Sequence, residues 1–415
     1  LATRLPSVLG MAGAAWGITV IGRRLGSPRA GLWAGLLFAA LPMVTQEAHD
    51  ARPYGLVTAA AVLASLVLIR GADDPRPGWF AGYALSLALL GYLEVFALLL
   101  VPAHAITLTR LGGQPARPGP GRQGRRFRDW AWPDGYLGRR WMVAVAAAGA
   151  ALTPVLAGAW LQRGQIGWLR SPGWFDLGYL ASSLATGGIA GAAALALLAI
   201  VGTRRGDSPA QAEAPHQLTG LALPWLILPP LVLVAISEVH PIYTFRYVVF
   251  CLPSVALLAG AGLAALGPVS RTVALALVVT LAVPAQLSLR IPGSGIGVAM
   301  GAATQVLASQ ERAGDAIVYP GSSIPPWYLA YPRAFGPLRD ISLAQPGAAI
   351  GRLYGSSVSV PALKRRERGV QRIWVVEMAA PWRSPAPYIG PGFRLAHRWW
   401  PAQGRASLWL YERFQ

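Results

Sequence analysis

The chain has 415 residues, of which 54% are hydrophobic and only 13% charged, with a formal net charge of +19. A soluble domain places about a quarter of its residues in charge, so a single soluble globular body is excluded. The cations are arginines apart from Lys364 and collect beside apolar runs, which points to membrane orientation and away from nucleic acid; the lone Cys251 excludes an intrachain disulfide.

Apolar runs that approach the roughly 20 residues needed to cross about 30 Å of hydrocarbon recur along the first two thirds of the chain. They cover approximately 6–21, 31–46, 53–69, 79–92, 94–109, 141–160, 177–201, 218–236, 247–266 and 272–289. The stretch from Trp79 to Leu108 is too long for one ordinary crossing, and Gly91, Tyr92 and Glu94 interrupt its middle. It reads as a hairpin of two helices. The predicted fold class is therefore an α-helical polytopic membrane protein with about ten transmembrane helices.

Arginines orient these spans. Arg23, Arg24 and Arg29 follow the first run, Arg70 and Arg76 the third, and the segment 110–140 is rich in them. Arg204, Arg205 and Arg271 mark two later connections. All fall on one side when the hairpin is split, and that side is cytoplasmic by the positive-inside rule. The short loops 45–52, 161–176 and 237–246, with everything after 290, then face the exoplasm. Leu1 starts on the same side, which implies a preceding helix and its loop.

After 290 the pattern changes to a small α/β domain. Helical spacing over 297–312 would turn Val298, Met300, Val306 and Leu307 inwards. Short β-rich runs follow at Ala316–Tyr319 and Arg372–Met378, then a hairpin-like pair at Phe393–Trp400 and Ala406–Tyr411. The predicted division is a membrane bundle over 1–290 and an exoplasmic domain over 291–415.

The informative polar residues sit in the exoplasmic loops. Gln46-Glu47-Ala48-His49-Asp50-Ala51-Arg52-Pro53-Tyr54 puts two carboxylates, an imidazole and a guanidinium at a membrane surface. Asp50 fits a plain helix cap, a general base or a ligand for a divalent cation. Arg52, where a helix begins, fits a phosphate grip. A second constellation runs from Ser237 to Tyr247, with His240 an ordinary loop histidine before a metal ligand and Arg246 either snorkelling to headgroups or binding an anion. The third loop holds Gln165 and Trp168, and Glu94 lies at the hairpin tip, solvated or lining the same cavity. Ala259-Gly260-Ala261-Gly262 falls inside a membrane run, where small residues serve close helix packing.

Asp50-Ala51-Arg52-Pro53-Tyr54 resembles the acidic-Ala-Arg-Pro-Tyr signature of bacterial family 39 glycosyltransferases, in the wider class of protein O-mannosyltransferases and aminoarabinose transferases. Arg4-Leu5-Pro6-Ser7, Gln165-Ile166-Gly167-Trp168-Leu169, Phe245-Arg246-Tyr247 with Leu252-Pro253, and Gly314-Asp315-Ala316-Ile317-Val318 resemble further family segments in the same order. The resemblance implies the GT-C fold, a plasma-membrane location and inverting transfer of a mannose-like hexose or a pentose from a polyprenyl-phosphate donor. It implies Arg52 and Arg246 as phosphate ligands. Asp50 becomes a secondary acidic residue, with Tyr54, Glu94, Gln165, Trp168 and Tyr247 lining the substrate site. The family's main catalytic carboxylate lies in its first exoplasmic loop, and no residue here matches it. Membrane lipids are expected partners. The competing readings are a polytopic transporter or lipid flippase, or a non-catalytic truncated membrane protein.

Overall fold

The computed structural model describes residues 2–111, 135–163, 171–173, 178, 188–204, 209–290, 296–320, 323–324, 327–352, 354–378, 389–401 and 406–414. The chain divides into two compact units, Leu1–Leu289 and Arg290–Gln415.

The first unit is helical. It contains α1 (Leu5–Leu25), α2 (Pro28–Ala40), α3 (Pro42–His49), α4 (Tyr54–Asp73), α5 (Pro77–Leu93) and α6 (Leu100–Leu111). α7 (Gly135–Leu161), α8 (Ile189–Arg204), α9 (Pro209–Ser237), α10 (Leu252–Ala265) and α11 (Pro268–Ser288) follow. Among the described residues six segments are long and apolar enough to cross a membrane: Ala2–Leu25, Tyr54–Asp73, Gly135–Leu161, Gln217–Ser237, Phe245–Ala265 and Pro268–Ser288. Each of the ten expected runs has a helical counterpart among these elements, although most of 177–187 lies outside the described residues and the run expected over 177–201 is helical from Ile189; the chain is a multi-pass membrane protein. Leu9, Trp16, Leu85, Leu197 and Leu277 are exposed on the outside, an apolar surface suited to lipid.

Proline sets most starts. It occupies the first or second position of α1, α2, α3, α5, α10 and α11, where its missing N–H has no partner to lose. Pro42 also splits the run expected over 31–46, because Leu41 before it is held extended. The expected hairpin break is present at Glu94, which is extended, ends α5 and starts the 3-10 turn Val95–Leu99 by accepting from the Phe96 amide.

Packing relies on small residues. Gly260 of α10 lies against the Ala34 backbone of α2, and Gly262 against Leu198 of α8, so the glycines there serve helix contact as expected. α1 and α4 run parallel: Ser7 meets Arg52, Gly10 meets Gly55, Gly17 meets Val62, and Arg24 pairs with Asp73. Arg24 and Arg70 therefore lie at the end of this helix pair opposite Arg52, and Arg140 joins that end by donating to the Pro75 carbonyl at 2.7 Å. A buried polar cluster ties four helices: Ser65 Oγ lies 3.0 Å from His104 Nε2, Tyr83 Oη 2.9 Å from His104 Nδ1, and Trp141 Nε1 donates to Tyr83 at 3.3 Å.

The second unit has α12 (Ile296–Gln310), β1 (Ala316–Val318), β2 (Ser323–Ile324), α13 (Trp327–Ala330), α14 (Pro332–Phe335) and β3 (Arg339–Asp340). It continues through β4 (Leu343–Gln345), β5 (Gly355–Ser357), α15 (Val360–Arg366), β6 (Arg372–Met378), β7 (Phe393–Trp399) and β8 (Ala406–Arg413). A five-stranded sheet has the order β3-β1-β6-β8-β7, with β3, β1 and β6 parallel and the expected β7–β8 pair antiparallel. A second sheet has the order β2-β5-β4. Alternation divides the main sheet's core. Ile317, Trp374 and Leu408 meet Met300 and Leu307 of α12, while Val318, Val375 and Trp409 meet Leu363 of α15. Val306 packs beside the α12 pair, and the Val298 side chain lies outside the described residues.

Asp315 closes this unit. Gly314 turns the chain at φ +90°, and the buried carboxylate then pairs with Arg372 at 3.1 Å and accepts from Trp374 Nε1 at 2.8 Å. Arg372 also donates to the Gln310 carbonyl at 3.1 Å, so α12, β1 and β6 share one junction. Replacing Asp315 by Ala removes the nearer of the two carboxylates on the buried Arg372 guanidinium, leaving Glu412 at 3.5 Å, and strips the Trp374 indole N–H of its acceptor. We expect Asp315→Ala to cost about 1–3 kcal/mol, read as reduced protease resistance of this unit in the full chain.

Candidate functional site

Three chain segments converge at the N-terminal end of α4. The first leaves α3 at His49 and passes through Asp50, Ala51 and Arg52 to Pro53, which caps α4. Asp50 is extended at the C-terminal end of α3, and the N-cap position of α4 is taken by Pro53. Two anchors hold the segment. Ser7 Oγ of α1 donates to the Arg52 carbonyl at 3.0 Å, and Gln286 Nε2 of α11 donates to Ala40 O at 3.1 Å and Thr45 Oγ1 at 3.0 Å. Gly55 permits the first: a Cβ there would come within 2.6 Å of the Ser7 carbonyl oxygen.

The second segment is the 3-10 turn Phe245–Cys251, which carries Arg246 and Tyr247. Trp225 Nε1 of α9 fixes the turn by donating to the Phe250 carbonyl at 2.9 Å. The third is the break at Glu94, whose carboxylate takes the Phe96 amide at 3.4 Å. Phe96 packs on the Tyr247 ring with centroids 4.7 Å apart, which joins the second and third segments.

The charges confirm the convergence. Glu47 feels Asp50, Arg246 and Arg52, while the Tyr54 hydroxyl feels Glu94, Tyr247, Arg52 and Arg246. Of the site residues read from the sequence, Asp50, Arg52, Tyr54, Glu94, Arg246 and Tyr247 come together. Gln165 and Trp168 lie outside the described residues. His240 and His49 are exposed, and among the described residues no group of three His, Cys, Asp or Glu side chains is placed to hold a metal ion.

Sequence reasoning passed over Glu47. It is 0% exposed, and neither carboxylate oxygen has a hydrogen-bond partner. Burial pushes its carboxyl up to about 7; Asp50 acts in the same direction, and Arg246 and Arg52 oppose it. Glu94, half-buried, is also pushed up to about 7 by burial, against the Phe96 amide. Glu47 stands three residues before Asp50, a spacing that puts both on one helical face. That spacing was the available signal, but it does not distinguish a buried carboxylate from a solvated one.

The arrangement is suited to an anion. Arg52 is exposed, Arg246 is half-buried with its Nε unpartnered, and Asp50 and Glu94 stand beside them, half-buried. Two guanidiniums in such a place can grip a phosphate through paired N–H donors.

No family model matches the sequence, and no curated protein matches it. Solved structures do. ArnT from Cupriavidus metallidurans in the apo state is similar over 98% of this chain and 83% of its own, with a TM-score of 0.56 at 14% identity. The same protein bound to undecaprenyl phosphate gives a TM-score of 0.57 at 14% identity over the same shares. Arabinofuranosyltransferase AftD from Mycobacteria is similar over 100% of this chain and 34% of its own, with a TM-score of 0.47 at 18% identity. At these identities the ArnT likeness shows the fold: the chain has the GT-C fold.

The contact of Gly55 with Ser7 tests how the site is positioned. A valine at Gly55 meets backbone, so α1 and α4 must separate and Arg52 must move with them. Gly55→Val should cost about 1–3 kcal/mol, seen as a lower thermal midpoint in detergent.

Proposed function

We propose that the chain is a membrane glycosyltransferase that moves a sugar from a polyprenyl-phosphate carrier to an acceptor at the outer face of the membrane. The observation that carries this reading is the meeting of Arg52 and Arg246 with Asp50 and Glu94 at one end of an apolar bundle with the GT-C fold. The ArnT structure bound to undecaprenyl phosphate supports the choice of carrier.

In this mechanism the guanidiniums of Arg52 and Arg246 bind the donor's phosphate. As the bond from the anomeric carbon to the phosphate oxygen breaks, negative charge builds on that oxygen. Fixed cations in a half-buried site stabilise it most where it is greatest. Asp50 orients Arg52 or the acceptor hydroxyl, and Tyr54, Tyr247 and Glu94 line the place where the sugar sits. The acceptor oxygen forms the new bond on the face opposite the departing polyprenyl phosphate and inverts the anomeric centre. Its proton would go to the family's catalytic carboxylate, which no residue here matches, and a mannose-like hexose or a pentose is the expected group.

The outer face follows from charge. Arg24, Arg70 and Arg140 collect at the end opposite Arg52, and an arginine-rich end marks the cytoplasmic side. On the same reading the second unit, which follows α11 in the chain, belongs to the exoplasm.

Arg52→Ala and Arg246→Ala should each lower transfer from a polyprenyl-phosphate sugar in membranes by about 10²–10³-fold. Lysine at either position should restore only part, because it keeps charge without the planar fork. Full activity in both alanine variants would remove the phosphate from this site.

A further inference from the structure

Glu47 has no part in the mechanism above, yet both of its carboxylate oxygens are buried without a hydrogen-bond partner. A carboxylate shut away from water with no donor on either oxygen is unfavourable when ionised. Arg246 acts on Glu47 electrostatically, but no nitrogen of Arg246 comes within the 4.0 Å of an ion pair, and its Nε is itself buried and unpartnered. Glu47 and Arg246 thus interact through their charges without forming an ion pair, and both keep buried polar atoms without a partner.

We propose that Glu47 is a positioning residue that sets the anion affinity of Arg52 and Arg246: protonated, it leaves both guanidiniums to the donor's phosphate, and ionised, it competes with the phosphate for them. The inference rests on the phosphate-binding reading of those arginines. Charge gives it its sign. The charged groups acting on Glu47 are Asp50 and Arg52 from the turn after α3 and Arg246 from the Phe245–Cys251 turn. Tyr54 heads α4, and α11 presents the amide of Gln286 to Thr45; both are uncharged at neutral pH. A phosphate gripped by the two arginines adds a further negative charge near Glu47 and favours its protonated form. By thermodynamic reciprocity the protonated form favours the phosphate equally. With the free carboxyl at about 7, anion binding is strongest below that pH and weakens as pH rises through it.

The probe is the methyl diester of undecaprenyl phosphate, whose single charge stays fixed over this pH range and whose binding needs no particular sugar. With the full chain in nanodiscs, its Kd should rise about tenfold between roughly pH 6 and pH 8, the limit for one coupled proton. Glu47→Gln, neutral at every pH, should bind with the wild-type low-pH affinity and show no slope. Glu94→Gln should keep the slope, since burial and the Phe96 amide act on Glu94 and neither arginine is among the groups that do. A flat wild-type profile overturns the proposal before any variant is made. Arginine variants that lose the diester while Glu47→Gln keeps the slope overturn the coupling and leave the phosphate site standing. Unchanged binding in both Arg52→Ala and Arg246→Ala overturns the phosphate site and the coupling with it.

Discussion

The contact on which the site depends is backbone against backbone, where α1 and α4 touch at Gly10 and Gly55. Lipid supplies no hydrophobic pressure between helices, so close approach and van der Waals contact must hold them. At Gly55 the approach brings Ser7 to the Arg52 carbonyl, and the loop bearing Asp50 and Arg52 is stitched to the first helix. The same parallel pairing places Arg24 beside Asp73 at the far end. One seam therefore sets both the location of the site and the separation of its arginines from the rest.

Much of this was legible from the sequence, and the limits have physical causes. Long apolar runs between arginines have only one economical reading, and Glu94 in the middle of such a run forces a break. Leu41-Pro42 was harder: proline is compatible with a membrane helix, and only the structure shows it ending α2. In the second unit β6 was readable from its β-rich run. β3, with two residues, and β4, with three, are too short for any alternation to register.

Within the site the arginines and Asp50 were visible because charge at the edge of an apolar run is conspicuous. Glu47 was not, because residue type does not report burial. The buried cluster around His104 was hidden for the opposite reason. Ser65, Tyr83 and His104 each lie alone in a different apolar helix, and their relation exists only after the helices pack.

That cluster has a direction. Trp141 can only donate, so Tyr83 accepts from it; Ser65 spends its one hydrogen on the Ala61 carbonyl and so accepts from His104 Nε2, which leaves a neutral His104 to accept from Tyr83 at Nδ1. The imidazole hydrogen then sits on Nε2 and goes to Ser65, whose hydroxyl passes on to the Ala61 carbonyl at 2.9 Å. Every hydrogen in the relay points one way, from α7 through α5 and α6 to α4, and it ends on a backbone oxygen. With the Ser65 hydrogen on the Ala61 carbonyl, this chain selects the neutral imidazole protonated at Nε2. A sliding or rotation of one helix past its neighbours would have to break the whole relay at once. Those four helices are thereby locked in a single register by the polarity of their hydrogen bonds.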